Sequence, residues 1–419
     1  MIGIMRLLFY NFIILLSTPV AITRIFFKSL KDKDYRSNLQ HRFGIYDFKI
    51  GNKKPIWFHA VSLGEVISSE SIILKLIEHH EVILTVSTPT GLRHAKKLYD
   101  KKLNILYAPW DFSLFVLNAF QTFKPSALVI FETEIWPSII NKAYKQKIPV
   151  ILCNGRMSEK SFRNYSKFQS LMSDTLKKFS TIFVQSESQA KRFIELGASQ
   201  EKLTIAPSVK FDSISSPENK IVSDSDLNNS KTLIFASTHK GEDERLINIF
   251  QKLLSKFEDL RLIIVPRHPE RAEDIGGMLL KKNITYSIKK SDGIEFNSEK
   301  VIVIGAIGLL NSLYKKADLA FIGGSMLGTT GGHNIIEPAA AGCPFVVGPY
   351  MYNFEDVLDV FLSNKACIQA QNDHEIELSL KRILTDHEWH GKINALSVIS
   401  KNKGSSEQQA NSILNYLKN

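Results

Sequence analysis

Twice along this chain, short apolar runs alternate with segments of helical periodicity, and the series restarts after one polar, turn-rich stretch. "PIWFHAVS", "EVILTVST", "LNILYAP", "SALVIFETE", "IPVILCNGR" and "TIFVQS" read as strands in the first series. "KTLIFAST", "LRLIIVPRH", "KVIVIGA", "DLAFIGG" and "PFVVGP" read as strands in the second. Apolar runs of this length separated by helical patterns such as Val66 to His79 indicate parallel sheets covered by helices on both faces. The segment "SISSPENKIVSDSDLNNS" between the series is the natural linker. The expectation is an α/β chain of two Rossmann-like domains facing a central cleft. With 419 residues and 44% hydrophobic content, the chain can bury a core in each.

The first residues belong to neither series. Leu7 to Ile22 is apolar but short for a membrane span, which needs about 20 residues, so it reads as a tilted or interfacial anchor. A cleaved signal peptide and a buried N-terminal helix are the competing readings. Ten Lys or Arg stand against three Asp between Met1 and Lys54, a local excess of +7 within a total of +11. Arg24, Lys28, Lys31 and Lys33 follow the apolar run at once, which favours a cytoplasmic body and an anionic leaflet. The expected division is therefore an anchor over 1–34, a first α/β domain over 35–212, a linker over 213–230 and a second α/β domain over 231–419. Cys153, Cys343 and Cys367 are too few and scattered for a disulfide framework or thiolate metal site.

Ligands of such sheets gather at the carboxyl ends of strands, and here those ends are polar. "FHAVSLGE" offers His59, Ser62, Gly64 and Glu65, "FETEIWP" offers Glu132 and Glu134, and "CNGRMS" offers Asn154 and Arg156. Lys210 follows in "PSVKFD", and Arg267 and His268 in "VPRHPER". Ser62 to Glu65 is also a capping box, so Glu65 reads either as a helix cap or as a carboxylate base. Two carboxylates at Glu132 and Glu134 would raise each other's pKa unless Arg156 or Lys210 balances them, or they form a solvated strand end. The stretch from Gly323 to Pro349 packs seven glycines around one acid, Glu337. Gly323, Gly324, Gly331 and Gly332 allow close backbone approach, and a helix starting near Ile335 would offer N–H groups to an anion beside Arg267. Glu337 then either accepts from ribose hydroxyls or is an acid favoured at a helix start. The triplets Asp32-Lys33-Asp34 and Asp224-Ser225-Asp226 follow no strand end, and His59, His239, His268 and His333 lie in separate loops, so no metal site is expected.

Together, "FHAVSLGE", "STPTG", "FETEIWP", "NGRMSEKS", "SVKFD", "STHKGEDE", "VPRHPER", "FIGGS" and "GGHNIIEPAAAGCPFVVGP" resemble the ordered motifs of the 3-deoxy-D-manno-octulosonic acid (Kdo) transferases, over nearly the whole chain beyond the anchor. That resemblance implies a GT-B glycosyltransferase that moves Kdo from CMP-Kdo to the tetraacyl lipid A precursor, lipid IVA. It implies inversion at the anomeric carbon, no bound metal or cofactor, and a location at the cytoplasmic face of the inner membrane among its lipids. By motif position Glu65 would be the general base, with Glu132 and Lys210 assisting the transition state. CMP would meet Pro266, Arg267, Ile307, Gly308, Leu309, Asn334, Ile335, Ile336 and Glu337. The family usually has G-E-L where this chain has Gly308-Leu309-Leu310, which limits Leu309 to backbone contact, and Gly where this chain has Pro207. Two rivals stand beside this reading: another sugar-nucleotide transferase or epimerase, and a non-catalytic binder of anionic membrane or nucleic acid. No nucleic-acid motif supports the last, and no nucleic-acid partner is expected.

Overall fold

The computed structural model describes residues 2–47, 51, 54–99, 102–212, 231–290, 299–386 and 388–418. They form two compact units, Met1–Ser213 with Gly404–Asn419, and Ile214–Lys403. The expected linker over 213–230, with Asp224 and Asp226, lies outside the described residues.

In the first unit, seven strands make one parallel sheet: β1 (Ile56–His59), β2 (Val82–Val86), β3 (Asn104–Tyr107), β4 (Ala127–Phe131), β5 (Val150–Gly155), β6 (Thr181–Val184) and β7 (Leu203–Ile205). Their order is β3-β2-β1-β4-β5-β6-β7, so the chain reverses direction across the sheet between β1 and β4. Side chains alternate between two cores: Trp57, Leu128 and Leu152 enter one, while Ile56, Phe58 and Val129 enter the other. The second unit repeats the plan with β8 (Thr232–Thr238), β9 (Arg261–Pro266), β10 (Tyr286–Lys289), β11 (Val301–Ile304), β12 (Leu319–Ile322), β13 (Phe345–Val347) and β14 (Ile368–Gln369). Its order is β10-β11-β9-β8-β12-β13-β14, with the reversal between β8 and β12. The two Rossmann-like sheets are those the apolar runs foretell.

Three strands were not foretold, β7, β10 and β14, and all lie at sheet edges. Their residues are only half-buried or exposed, so they carry no continuous apolar run to read.

The N-terminal segment departs from its expectation in length. One helix runs Ile2–Ser29, and its most apolar 18-residue window within Met5–Ser29 has mean hydropathy 1.7. At about 1.5 Å per residue it is long enough to cross a bilayer core of about 30 Å. Pro19 sits inside it without ending it. Its first turns are held to the unit by polar contacts. Arg6 pairs with Asp174 at 2.8 Å, and Tyr10 donates to Asp111 at 2.9 Å. Asn11 accepts from the Ser113 N–H at 2.6 Å. Asp111 also accepts the N–H groups of Ser138 and Ile139, capping the helix Pro137–Lys145, and its burial raises its pKa to about 7.

The expected second domain is corrected at its end. The last helix, Ser405–Lys418, packs on the first unit, where Ala410 and Ile413 join the core of Phe58 and Val129. Its start is capped by Asp212, which accepts the N–H groups of Gly404 and Ser406, both at 2.6 Å. Gln409, fully buried, accepts the Asn154 N–H at 2.9 Å.

Candidate active site

The reversal between β1 and β4 gathers the acids of the first unit. Ser62 is the N-cap of the helix Leu63–Ser68, and its hydroxyl accepts the Glu65 N–H at 3.4 Å. The Glu65 carboxylate in turn accepts from the Ser62 hydroxyl and the Val61 N–H, both at 2.8 Å. The capping box is therefore real. Burial, followed by the charges of Glu132 and Glu134, raises the Glu65 pKa to about 8, while its two hydrogen bonds hold it from rising further. A carboxyl that titrates there exchanges a proton within the working range of an enzyme. The same group caps a helix and carries a raised pKa.

Glu132 follows β4 with φ +58, a left-handed conformation uncommon for a residue with a side chain. Arg156, after β5, donates to its carboxylate at 3.2 Å. Arg156, one of the two cations weighed from sequence, pairs with Glu132. Glu134 makes a hydrogen bond of its own. It accepts the Trp136 indole N–H at 2.7 Å, and burial first, then Glu132, raises its pKa against that bond. His59 closes β1 fully buried, its Nδ1 2.9 Å from the Thr85 hydroxyl and its ring against Trp136. Burial lowers its pKa to about 3, so it is neutral at physiological pH. Lys210 lies in the 3-10 turn Val209–Asp212. That turn is tied to β5 by the Asn154 side chain, whose Oδ1 accepts the Val209 N–H at 3.1 Å. Asn154 is itself left-handed, with φ +53.

In the second unit the reversal between β8 and β12 gathers basic groups. Arg267 follows β9, its N–H donating to the Thr238 carbonyl at 3.0 Å, and its side chain is exposed. Glu337 feels the Arg267 charge, yet burial wins and raises its pKa, with the Asn334 amide donating to it at 2.9 Å. The expected helix is the single turn Ile336–Ala340, and Asn334 already caps its Ile336 N–H at 2.9 Å. Ile335 and Ile336 are buried, whereas Ile307 is 78% exposed. Pro266 ends β9, buried. Gly308 takes φ +90 and Leu309 buries its side chain. Gly324 takes φ +68, and a Cβ there would come within 2.9 Å of the His333 ring.

Two features escaped the sequence. His239 and His333, from separate loops, face each other with Nε2 atoms 2.7 Å apart, and the His268 ring stands edge-on to His239. Burial and then Arg267 lower the His333 pKa to about 4. Glu242, fully buried, accepts three N–H groups: His239 and Gly324 on Oε2 at 2.9 and 2.8 Å, and Met326 on Oε1 at 2.9 Å. It clamps the loop after β8 to the glycine-rich loop after β12. The only signal in the sequence was the position of both loops at strand ends.

Among the described residues, no three His, Cys, Asp or Glu side chains are grouped to hold a metal ion. Asp32 and Asp34 ion-pair with Arg93 at the surface.

Paired parallel α/β units of this kind recur in solved structures, which share the fold. A UDP-GlcNAc 2-epimerase from Neisseria meningitidis shares this fold at 14% identity over 86% of this chain and all of that one, with a TM-score of 0.56. A spinosyn rhamnosyltransferase complexed with thymidine diphosphate shares it at 11% identity over 88% of this chain and all of its own, with a TM-score of 0.53.

Sequence supplies the family. Residues 37–213 match the family described as 3-deoxy-D-manno-octulosonic-acid transferase, and residues 228–397 match glycosyl transferases group 1. A 3-deoxy-D-manno-octulosonic acid transferase of Rickettsia bellii is 30% identical, with 90% of each chain covered, and one of Haemophilus influenzae is 28% identical, with 98% of each covered. The chain belongs to the Kdo transferase family. It is a glycosyltransferase of Kdo transfer in lipopolysaccharide synthesis.

Proposed function

We propose that this chain transfers Kdo from CMP-Kdo to lipid IVA, with inversion and release of CMP, and without a metal. The observation that carries the proposal is Glu65, a buried carboxyl held by Ser62 and Val61 and titrating at about 8. Its carboxylate takes the proton of the acceptor hydroxyl as that oxygen attacks the anomeric carbon of Kdo. The bond from that carbon to the phosphate oxygen breaks, and its electron pair leaves with CMP. Arg267 stabilises the charge of the leaving phosphate, as fixed cations do where charge develops. Glu132, oriented by Arg156, assists the positive character that grows on the sugar, and Lys210 assists the transition state through the negative charge of the donor. Pro266, Ile307, Gly308, Leu309, Asn334, Ile335 and Ile336 line the nucleotide, mainly through backbone, and Glu337 accepts from its ribose.

The apolar N-terminal helix supports an anchor in the inner membrane, and the basic residues after it support a cytoplasmic body. An acyl-chain-bearing acceptor is reached from that surface.

The test is the mass of the lipid product after incubation with CMP-Kdo and lipid IVA, with chelator present. An increment of one or more Kdo units is expected. Folded protein that leaves both substrates unchanged would overturn the proposal, and activity restored by a divalent ion would overturn its metal independence.

A further inference from the structure

Where the N-terminal helix meets the first unit there is a cavity of about 640 Å³. One wall is apolar, with Leu8 of that helix and Leu117 of the helix Ser113–Phe123. The other is cationic. Lys142 and Lys145 come from the helix Pro137–Lys145, while Lys177 and Lys178 follow the helix Gln169–Leu176. The one acid lining the cavity is Asp174, and it is ion-paired with Arg6. Four ammonium groups thus share a pocket whose carboxylate is already engaged. Lys178 registers the cost: burial first, and the Lys145 charge against Asp174, lower its pKa. An anion in the pocket would relieve that repulsion.

Beside it, the N-terminal helix leaves Leu8, Phe9, Phe12 and Leu16 each more than half exposed. An apolar wall continuous with such a face, opposite four lysines, is complementary to a molecule with an acyl chain and an anionic head. These lysines are separate from the basic run after the helix, and none belongs to the site of Glu65 or Arg267. We propose that this seam is a binding site for the head group of an anionic phospholipid, seated on Lys142, Lys145, Lys177 and Lys178 with its first methylenes along Leu8 and Leu117. Lysines near a bilayer surface gain from anionic lipid individually, and a pocket that groups four makes the gain local and saturable. The inference rests on the membrane setting proposed above, but its test reads binding and does not require turnover.

Full-length protein carrying Lys142→Gln, Lys145→Gln and Lys178→Gln is compared with wild type and with a control of equal charge loss, Lys256→Gln, Lys281→Gln and Lys403→Gln. Binding is measured to phosphatidylcholine vesicles with and without phosphatidylglycerol. The pocket variant should need about tenfold more phosphatidylglycerol for half-maximal binding, and the control less than about twofold. Turnover on acceptor in neutral detergent should be unchanged in both. Equal losses in the two variants would mean delocalised charge and would overturn the site. A raised acceptor KM in detergent, with vesicle binding intact, would assign the pocket to the acceptor's own phosphates and overturn it as well. Wild type that binds the vesicles but transfers nothing would sink the proposed reaction and leave this test standing.

Discussion

The two units share one sheet plan and place opposite chemistry at the same point of it. Where β1 and β4 part, the first unit sets Glu65, Glu132 and Glu134, and burial and mutual repulsion press protons onto two of them. Where β8 and β12 part, the second sets His239, His333 and Arg267 around glycine backbone, and burial strips protons from the histidines. Topology fixes where a ligand goes, and the residues after each strand decide which chemistry it meets. An acidic end suits activation of a hydroxyl, and a basic end suits a phosphate that must leave.

The sharpest way to break that contrast is to remove the one acid that shapes the basic end. Glu242→Ala strands three N–H groups, two of them buried, and should cost about 3 kcal/mol, since each unmet buried group costs about 1–3 kcal/mol. Denaturant melts should show the loss, and CMP binding should go with it while the first unit stays folded. Native-like stability would show that the clamp is dispensable. A smaller effect separates the two ends functionally. Arg267→Ala should weaken CMP binding about tenfold to a hundredfold by calorimetry, as loss of a charge-assisted contact does, with no change in the alkaline titration of Glu65.

The smallest effect is thermodynamic and belongs to the acidic end. Glu65 has a folded pKa raised from 4.5 to about 8, so its contribution to stability is full below 4.5 and is lost as pH rises through about 8. Glu65→Gln has no such proton to lose. Its stability relative to wild type should therefore rise across that window by about 1–2 kcal/mol, below the full linkage value because an ionised carboxylate draws in water. A difference independent of pH would mean that Glu65 is ionised throughout.

Legibility followed the same physics. Central strands such as β4 and β12 were plain because both faces are buried, whereas β7, β10 and β14 were hidden by being edges. Glu65 was legible because a cap and a strand end coincide in "VSLGE". The left-handed turn at Glu132 was not, because no glycine marks it. Nor was the contact of His239 with His333, which depends on two strands distant in sequence becoming neighbours. The last helix misled because it follows the second series in sequence yet buries Ala410 and Ile413 in the first core. The N-terminal helix exceeded its apolar run because Arg24 and Lys28 interrupt hydropathy without interrupting helix.

The central claim is that Glu65 acts on the acceptor proton and not on fold or donor. Transfer to lipid IVA by Glu65→Gln, measured across pH alongside its affinity for CMP-Kdo, tests it most directly. Wild type should gain rate as pH rises toward about 8, and the variant should lose about a hundredfold or more at every pH with donor affinity intact. A variant that keeps the wild-type rate and pH profile would return Glu65 to capping alone.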